Sequence, residues 1–337
     1  MMDWTNLGFG FHETNCNARC YYRDGKWGKI EYSTSHEISI SIAAPALHYG
    51  QQAFEGLKAF RGKDGRIRIF RLEENAKRMV QSAEGILLQA VPLEIFTEAV
   101  IETVKRNEEF IPPYGSGGAL YIRPLLIGTS PQVGVKPSKE YLFIVFVTPV
   151  GAYFPSGFKP TQVAIINSFD RVAPNGTGHL KVGGNYAASL AAGRYAAERG
   201  YSMVLYLDSK EKKYVDECGP ANFFGIKNET YITPLSHSIL PSITNASLMT
   251  LAEDMGIKVE RRPVKEEELS SFEEAGACGT AAVISPISLI DNLENGHRYE
   301  YAMNGEAGPI SQRLYEQLTG IQTGDREDKF GWDTFLD

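Results

Sequence analysis

The chain has 337 residues, 43% of them hydrophobic and 22% charged, with a formal net charge of −7. That length favours two domains, and the composition is that of a globular protein able to bury sizeable cores. The negative balance argues against a nucleic-acid partner, no apolar run approaches the roughly 20 residues of a membrane helix, and residues 1–6 lack the basic-then-apolar pattern of a secretory signal.

In chain order, residues 18–22 and 27–32 read as one β-hairpin and 56–60 and 66–70 as another. Each turns at an Asp-Gly pair, Asp24-Gly25 and Asp64-Gly65, where glycine takes positive φ without steric cost. Residues 72–87 have Leu72, Ala76, Met79, Val80, Ala83 and Leu87 at helical spacing. A second helix at 95–110 stops before Pro112-Pro113. Strands at 119–127 and 141–148 are rich in β-branched and aromatic residues. Gly151, Pro155, Ser156, Gly157 and Pro160 then crowd together, and the domain boundary is placed there. This gives an N-terminal α/β domain at 1–150, a loop at 151–158 and a C-terminal domain at 159–337.

The second domain opens with a strand at 162–168, followed by a helix at 185–200 that Gly200 ends. Short strands follow at 201–207, 214–218, 222–227 and 231–232. A helix at 242–255 is capped by Ser242, and a strand at 256–262 and a helix at 309–319 complete the pattern. Cys16, Cys20, Cys218 and Cys278 read as free thiols of a cytoplasmic protein. Cys16, Cys20 and His12 lack the fourth ligand of a structural zinc site, so no metal is expected.

Chemistry concentrates around Lys181, set among apolar residues and glycines in Gly178-His179-Leu180-Lys181-Val182-Gly183-Gly184-Asn185-Tyr186. Desolvation suits an amine that must shed its proton, although an ordinary surface lysine has similar neighbours. Glu217 ends a strand and could pair with a pyridinium nitrogen, or simply be exposed. Leu240-Pro241-Ser242-Ile243-Thr244 offers a helix N-terminus to an anion, and 276–282 a small-residue loop with backbone N–H groups; a plain cap and a tight turn fit equally. Arg78 on a helix and Arg123 inside an apolar strand are cations that want a carboxylate or phosphate.

Together these segments resemble the branched-chain-amino-acid aminotransferases of bacterial type, pyridoxal-phosphate enzymes of fold type IV. The likeness is carried by residues 48–58, Glu74-Asn75-Ala76-Lys77-Arg78, Tyr121-Ile122-Arg123-Pro124, 176–186, 217–224, 240–244 and 276–282. The resemblance implies a two-domain α/β (α+β) fold, with a smaller N-terminal domain and a larger C-terminal pseudo-barrel that binds pyridoxal 5'-phosphate. It implies ping-pong transamination of L-leucine, L-isoleucine and L-valine with 2-oxoglutarate. By position, Lys181 is the catalytic residue, holding the cofactor as an internal aldimine. Glu217 meets the ring nitrogen, Tyr186 the phenolic oxygen, and Arg78, Ile243, Thr244 and Thr280 the phosphate. Phe54, Tyr121 and Ala281, with Thr280, line the substrate site, and Arg123 meets a side-chain carboxylate. Tyr49, Val133 and Val135 are lent to a neighbouring subunit, so a homodimer is implied.

The chain departs from many relatives in having Ser242 and Asn245 where they have glycine and arginine. Ala282 and Ser285 replace a redox cysteine pair of mammalian members, which predicts no thiol switch there. A D-amino-acid aminotransferase or an aminodeoxychorismate lyase shares the cofactor residues, and a non-catalytic pyridoxal-phosphate-binding protein is a rival of another class.

Overall fold

The computed structural model describes residues 3–4, 7–152, 158–301 and 305–336, so most of the expected interdomain loop at 151–158 lies outside the described residues. The chain divides into two compact units. The first comprises 1–153, 180–183 and 320–337; the second comprises 154–179 and 184–319. Two stretches within 159–337 are thus counted with the N-terminal unit. Residues 180–183 are drawn there by a bridge between Val182 and Ala53, and 320–337 by a closing strand.

The first unit holds β1 (Asn17–Arg23), β2 (Lys26–Trp27), β3 (Glu31–Ser33), α1 (Pro45–Tyr49), β4 (Gln52–Phe54), β5 (Leu57–Arg61) and β6 (Ile67–Phe70). After them come α2 (Leu72–Gly85), α3 (Leu93–Arg106), β7 (Ala119–Gly128) and β8 (Tyr141–Val150). Its sheet runs from the chain's last strand, Asp333–Leu336, through β6, β5, β7, β8 and β1 to β2. There β3 pairs with β1 and β4 with β7. The amphipathic stripe of α2 buries Leu72, Ala76, Met79 and Ala83, and α3 buries Phe96, Ala99, Val100 and Val104. Both join a core with Leu57, Ile69, Ile122, Phe143 and Val145 of the sheet. Glu73 and Glu74 in the first turn of α2 suit the positive end of its dipole.

The second unit holds β9 (Thr161–Ile165), α4 (Gly183–Ala188), α5 (Leu190–Ala197), β10 (Met203–Leu207), β11 (Val215–Cys218), β12 (Ala221–Lys227) and β13 (Thr230–Pro234). It continues with α6 (Ile243–Asp254), β14 (Lys258–Arg262), β15 (Glu274–Gly279), β16 (Val283–Asn292), β17 (Arg298–Glu300) and α7 (Pro309–Thr323). The strand path β11-β10-β9-β16-β15-β12 closes on itself through a β11–β12 pairing, which makes a barrel; β13, β14 and β17 extend it. Closure removes the edges of β11 and β12, and the extensions end instead at β14 and β17.

The helix expected at 185–200 is two helices. Ser189 interrupts it, its hydroxyl donating to the Asn185 carbonyl at 3.0 Å, a bond that competes with the backbone ladder. The small-residue loop expected at 276–282 shortens to a turn at 280–282, because Gly276 to Gly279 pair in β15. No helix among the described residues is long and apolar enough to cross a membrane.

Candidate active site

In the first unit, β4 and α2 hold the Lys181 backbone. Lys181 N–H donates to Ser82 Oγ at 2.9 Å, and Phe54 N–H donates to the Lys181 carbonyl at 3.1 Å. The amine Nζ lies 4.7 Å from the centre of the Phe54 ring. Burial, with the positive charge of Arg78 and against the pull of Glu55, lowers the amine to about 8. An amine so placed gives up its proton far more readily than an exposed lysine.

Arg78 makes a forked pair with Glu55, Nε to Oε1 at 2.7 Å and Nη2 to Oε2 at 2.8 Å. Glu55 is fully buried. Oε2 also accepts from Asn75 Nδ2 at 2.7 Å and from Gly56 N–H at 3.2 Å. Burial disfavours the Glu55 charge, but the guanidinium of Arg78 overcomes this and holds the carboxyl below its usual range. Sequence reading passed over Glu55; the signal was a carboxylate inside the apolar run Ala53-Phe54-Glu55-Gly56-Leu57.

Arg123, on β7, donates from Nη2 to the Tyr121 hydroxyl at 3.0 Å. Its guanidinium carbon stands 4.7 Å from the Phe54 ring centre and 5.2 Å from that of Tyr121. One phenyl ring therefore rests against both the Lys181 amine and the Arg123 guanidinium. A Cβ at position 56 would collide with the Tyr121 hydroxyl, so glycine is required there. Phe9 packs edge-on against Tyr121 at 5.1 Å, a wall residue from the N-terminal stretch left unassigned by sequence.

Tyr49, Val133 and Val135 lie at the surface of the first unit. The Tyr49 hydroxyl donates to the Val133 carbonyl, and Gln132 N–H donates to the Ala43 carbonyl at 3.0 Å. These bonds bring 42–49 and 132–135 together as an exposed apolar patch. Ile42 is 88% exposed and Val133 and Val135 83% each, with Leu47 and Tyr49 beside them.

In the second unit, β11 buries Glu217. Its Oε2 lies 3.1 Å from Arg171 Nη1, and its Oε1 accepts from Leu240 N–H at 2.5 Å. A cavity of about 410 Å³ has Glu217, Tyr186, Arg171, Asn185 and Pro220 in its wall. Asn185 ties α4 to the preceding loop, its amide donating to the Thr177 carbonyl at 2.8 Å and its Oδ1 accepting from the Thr177 hydroxyl at 2.7 Å.

Ile243, Thr244, Thr280 and Ala281 do not line this cavity. In the barrel's register Glu217 faces Asn222 and Asn222 faces Cys278, two residues before Thr280, while Leu240, which bonds Glu217, precedes Ile243 by three. Asn222 Nδ2 also donates to the Leu240 carbonyl at 3.2 Å. Ser242 caps α6, accepting from Asn245 N–H at 3.1 Å, while the N–H groups of Ile243 and Thr244 have no acceptor within the helix. Past the turn at 280–282, Val283 takes φ +65°, which β-branched residues avoid, and Ile284 N–H donates to the Ala282 carbonyl at 2.9 Å.

The amino-transferase class IV family matches residues 52–290. The chain belongs to that family. It is 47% identical over 338 residues to the branched-chain-amino-acid aminotransferase of Haemophilus influenzae, covering 98% of both chains. It is 46% identical to the Helicobacter pylori enzyme of the same name, covering 98% of this chain and 97% of that one. Among solved structures, the Escherichia coli branched-chain amino acid aminotransferase superposes with a TM-score of 0.79 at 28% identity, covering 96% of this chain and 100% of that one. A branched-chain amino acid aminotransferase from T.th., solved with pyridoxamine 5'-phosphate, gives 0.79 at 29% identity, covering 95% and 99%.

The family's cofactor is pyridoxal 5'-phosphate, and this chain's residues suit it. An aldehyde needs an amine with a removable proton, which the partly desolvated Lys181 supplies. A ring nitrogen needs a buried carboxylate, and Glu217 is one. A phosphate needs backbone donors, which the first turn of α6 supplies.

Proposed function

We propose that this aminotransferase moves the amino group of L-leucine, L-isoleucine or L-valine to 2-oxoglutarate, giving the branched-chain 2-oxo acid and L-glutamate. The observation that carries this reading is the Phe54 ring, which touches the Lys181 amine on one side of the chemistry and Arg123 on the other. A substrate amino acid whose α carbon is at Lys181 finds an apolar wall in Phe54 and Tyr121. Hydrophobic contact there serves an aliphatic side chain, and a charge-assisted hydrogen bond from Arg123 serves a glutamate carboxylate.

When bound, pyridoxal 5'-phosphate supplies the electron sink for the α carbon. Lys181 Nζ would hold the cofactor and would move the proton to and from that carbon. Glu217 would hold the ring nitrogen and Tyr186 the phenolic oxygen. Arg78 and the N–H groups of Ile243, Thr244 and Thr280 hold the phosphate, and Glu55 fixes the direction of Arg78. Thr280 and Ala281 receive the substrate's α-carboxylate at the strained turn before Val283. We place the protein in the cytoplasm, a reading supported by its four buried free thiols. The working form is a homodimer: the exposed patch of Ile42, Leu47, Val133 and Val135 suits a second copy, to whose pocket Tyr49, Val133 and Val135 contribute.

The test is a half-reaction titration of the cofactor-loaded protein with L-leucine, L-glutamate and D-alanine, followed by absorbance. Bleaching by the two L-amino acids and none by D-alanine supports the reading. Reaction with D-alanine and none with L-leucine sinks it in favour of a D-amino-acid aminotransferase. Light scattering of the eluted protein checks the dimer.

A further inference from the structure

We propose that Arg171 is the positioning residue for Glu217, fixing both the charge and the direction of that carboxylate; the inference rests on the assignment of Glu217 to the cofactor's ring nitrogen. Arg171 follows β9 in a loop with no hydrophobic periodicity, yet it is only 7% exposed. Its Nη1 lies 3.1 Å from Glu217 Oε2. Its Nη2 donates to the Gly178 carbonyl at 3.1 Å and to the carbonyl of Ser238. One guanidinium thus ties the end of β11 to the loop at 178 and to the loop at 238, which leads into α6. Leu240 N–H, from that second loop, holds the other Glu217 oxygen.

Glycine at 178 makes this convergence possible. A Cβ there would run into the Ser238 carbonyl and stand 2.9 Å from Arg171 Nη2. Arginine is required for a similar reason. Its planar fork reaches a carboxylate and two carbonyls at once, whereas a lysine is a single point charge. Asp216, the neighbour of Glu217, is also buried, with its acid raised by desolvation and drawn back by a hydrogen bond to Ser236 and, less, by the charge of Arg171. Glu217 is the carboxylate this cation pairs with. Without it the ionised form of Glu217 is short of a counter-charge and is disfavoured. A neutral carboxyl cannot hold a proton on a ring nitrogen, so the cofactor would lose both an anchor and its electronic tuning.

The experiment reconstitutes the unaltered chain, Arg171→Lys, Arg171→Met, Glu217→Gln and the double variant Arg171→Met/Glu217→Gln with pyridoxal 5'-phosphate. The rate of cofactor release and the position of the visible band are read, with thermal unfolding of the cofactor-free proteins as the folding control. Arg171→Met is expected to release cofactor at least about tenfold faster and to move the band, with Arg171→Lys between it and the unaltered chain. The double variant should be no worse than Glu217→Gln alone, because Arg171 acts through that carboxylate. Losses that multiply in the double variant overturn the proposal, since they give Arg171 a role independent of Glu217. So does cofactor release within about twofold of the unaltered chain in both Arg171 variants while Glu217→Gln is impaired. If Glu217→Gln itself keeps the cofactor and the band, the ring-nitrogen assignment fails first and this proposal with it. Should Arg171→Met not fold, Arg171→Lys decides by the same readings.

Discussion

The Glu55 carboxylate grips Arg78 in a two-point fork, 2.7 Å from Oε1 to Nε and 2.8 Å from Oε2 to Nη2, at a position with no solvent exposure. The pair does more than hold two side chains. Burial is what chiefly lowers the Lys181 amine; Arg78 lowers it further and Glu55 raises it, so the ion pair tunes its proton affinity.

Capture of the aldehyde requires the neutral amine, so its rate in cofactor-free protein should rise with pH through about 8 and then level. Glu55→Gln removes the negative charge that favours the protonated amine. The midpoint should therefore fall below about 8, and the variant should lose roughly 3 kcal/mol of stability by leaving a buried guanidinium short of its partner. The rate of cofactor capture against pH measures the first effect and urea unfolding the second. An unchanged or higher midpoint would refute the electrostatic link.

Lys181→Ala should retain the fold while losing covalent cofactor attachment and transamination together. Its segment is held through the backbone, by the bonds to Ser82 and Phe54 and the bridge at Val182, all of which survive the change. Mass measurement after borohydride reduction should find no cofactor adduct, with circular dichroism unaltered. An adduct at another lysine would remove Lys181 from its role.

Arg123→Met should separate the two substrate classes. The guanidinium stacks on Phe54 and donates to Tyr121, and a methionine keeps apolar contact with both rings while giving up the charge. Reaction with L-glutamate should fall by about 100-fold in kcat/KM, the worth of a charge-assisted hydrogen bond, and reaction with L-leucine by no more than a few-fold. Equal losses for both would mean that Arg123 shapes the wall without reading the carboxylate.

How much of this was legible follows from where each signal lies. The hairpins, α2, α3 and α6 carry their cues locally, in Asp-Gly turns, a 3.6-residue stripe and the Ser242 cap. The break in the 185–200 helix depends on one hydroxyl at Ser189, which composition does not distinguish from any exposed serine. β15 ends in Gly276, Ala277, Cys278 and Gly279, a stretch rich in poor strand formers that pairs on both sides within the barrel. Among site residues, Arg123 stands out as a charge inside an apolar strand, whereas Lys181 gains its meaning only in company with Glu217 and the two anion loops. Glu55 has the same signature as Arg123, obscured by the motif around it. Arg171 has none, because it lies just past the strand expected at 162–168, outside every motif, and only the fold reveals three partners for its guanidinium.

The closing strand at Asp333–Leu336 should make stability depend on pH. Asp333 pairs with Phe70 in the sheet register, and its buried carboxylate reaches Arg68 Nη1 only at 3.5 Å. Burial and the neighbouring charge of Asp328 raise its acid to about 7 despite Arg68. In the unfolded chain the same acid titrates near 3.8, so the folded state holds the proton more tightly. The resulting stabilisation is complete below the unfolded value and is lost as pH rises through about 7. Asp333→Asn cannot ionise and should not lose stability over that interval. The Tm of the variant minus that of the unaltered chain should therefore grow between about pH 4 and pH 7 and flatten above it, a difference that cancels the titration of other carboxylates. A difference that stays constant across the range, or that shrinks as pH rises, would show that Arg68 keeps Asp333 ionised in the folded protein.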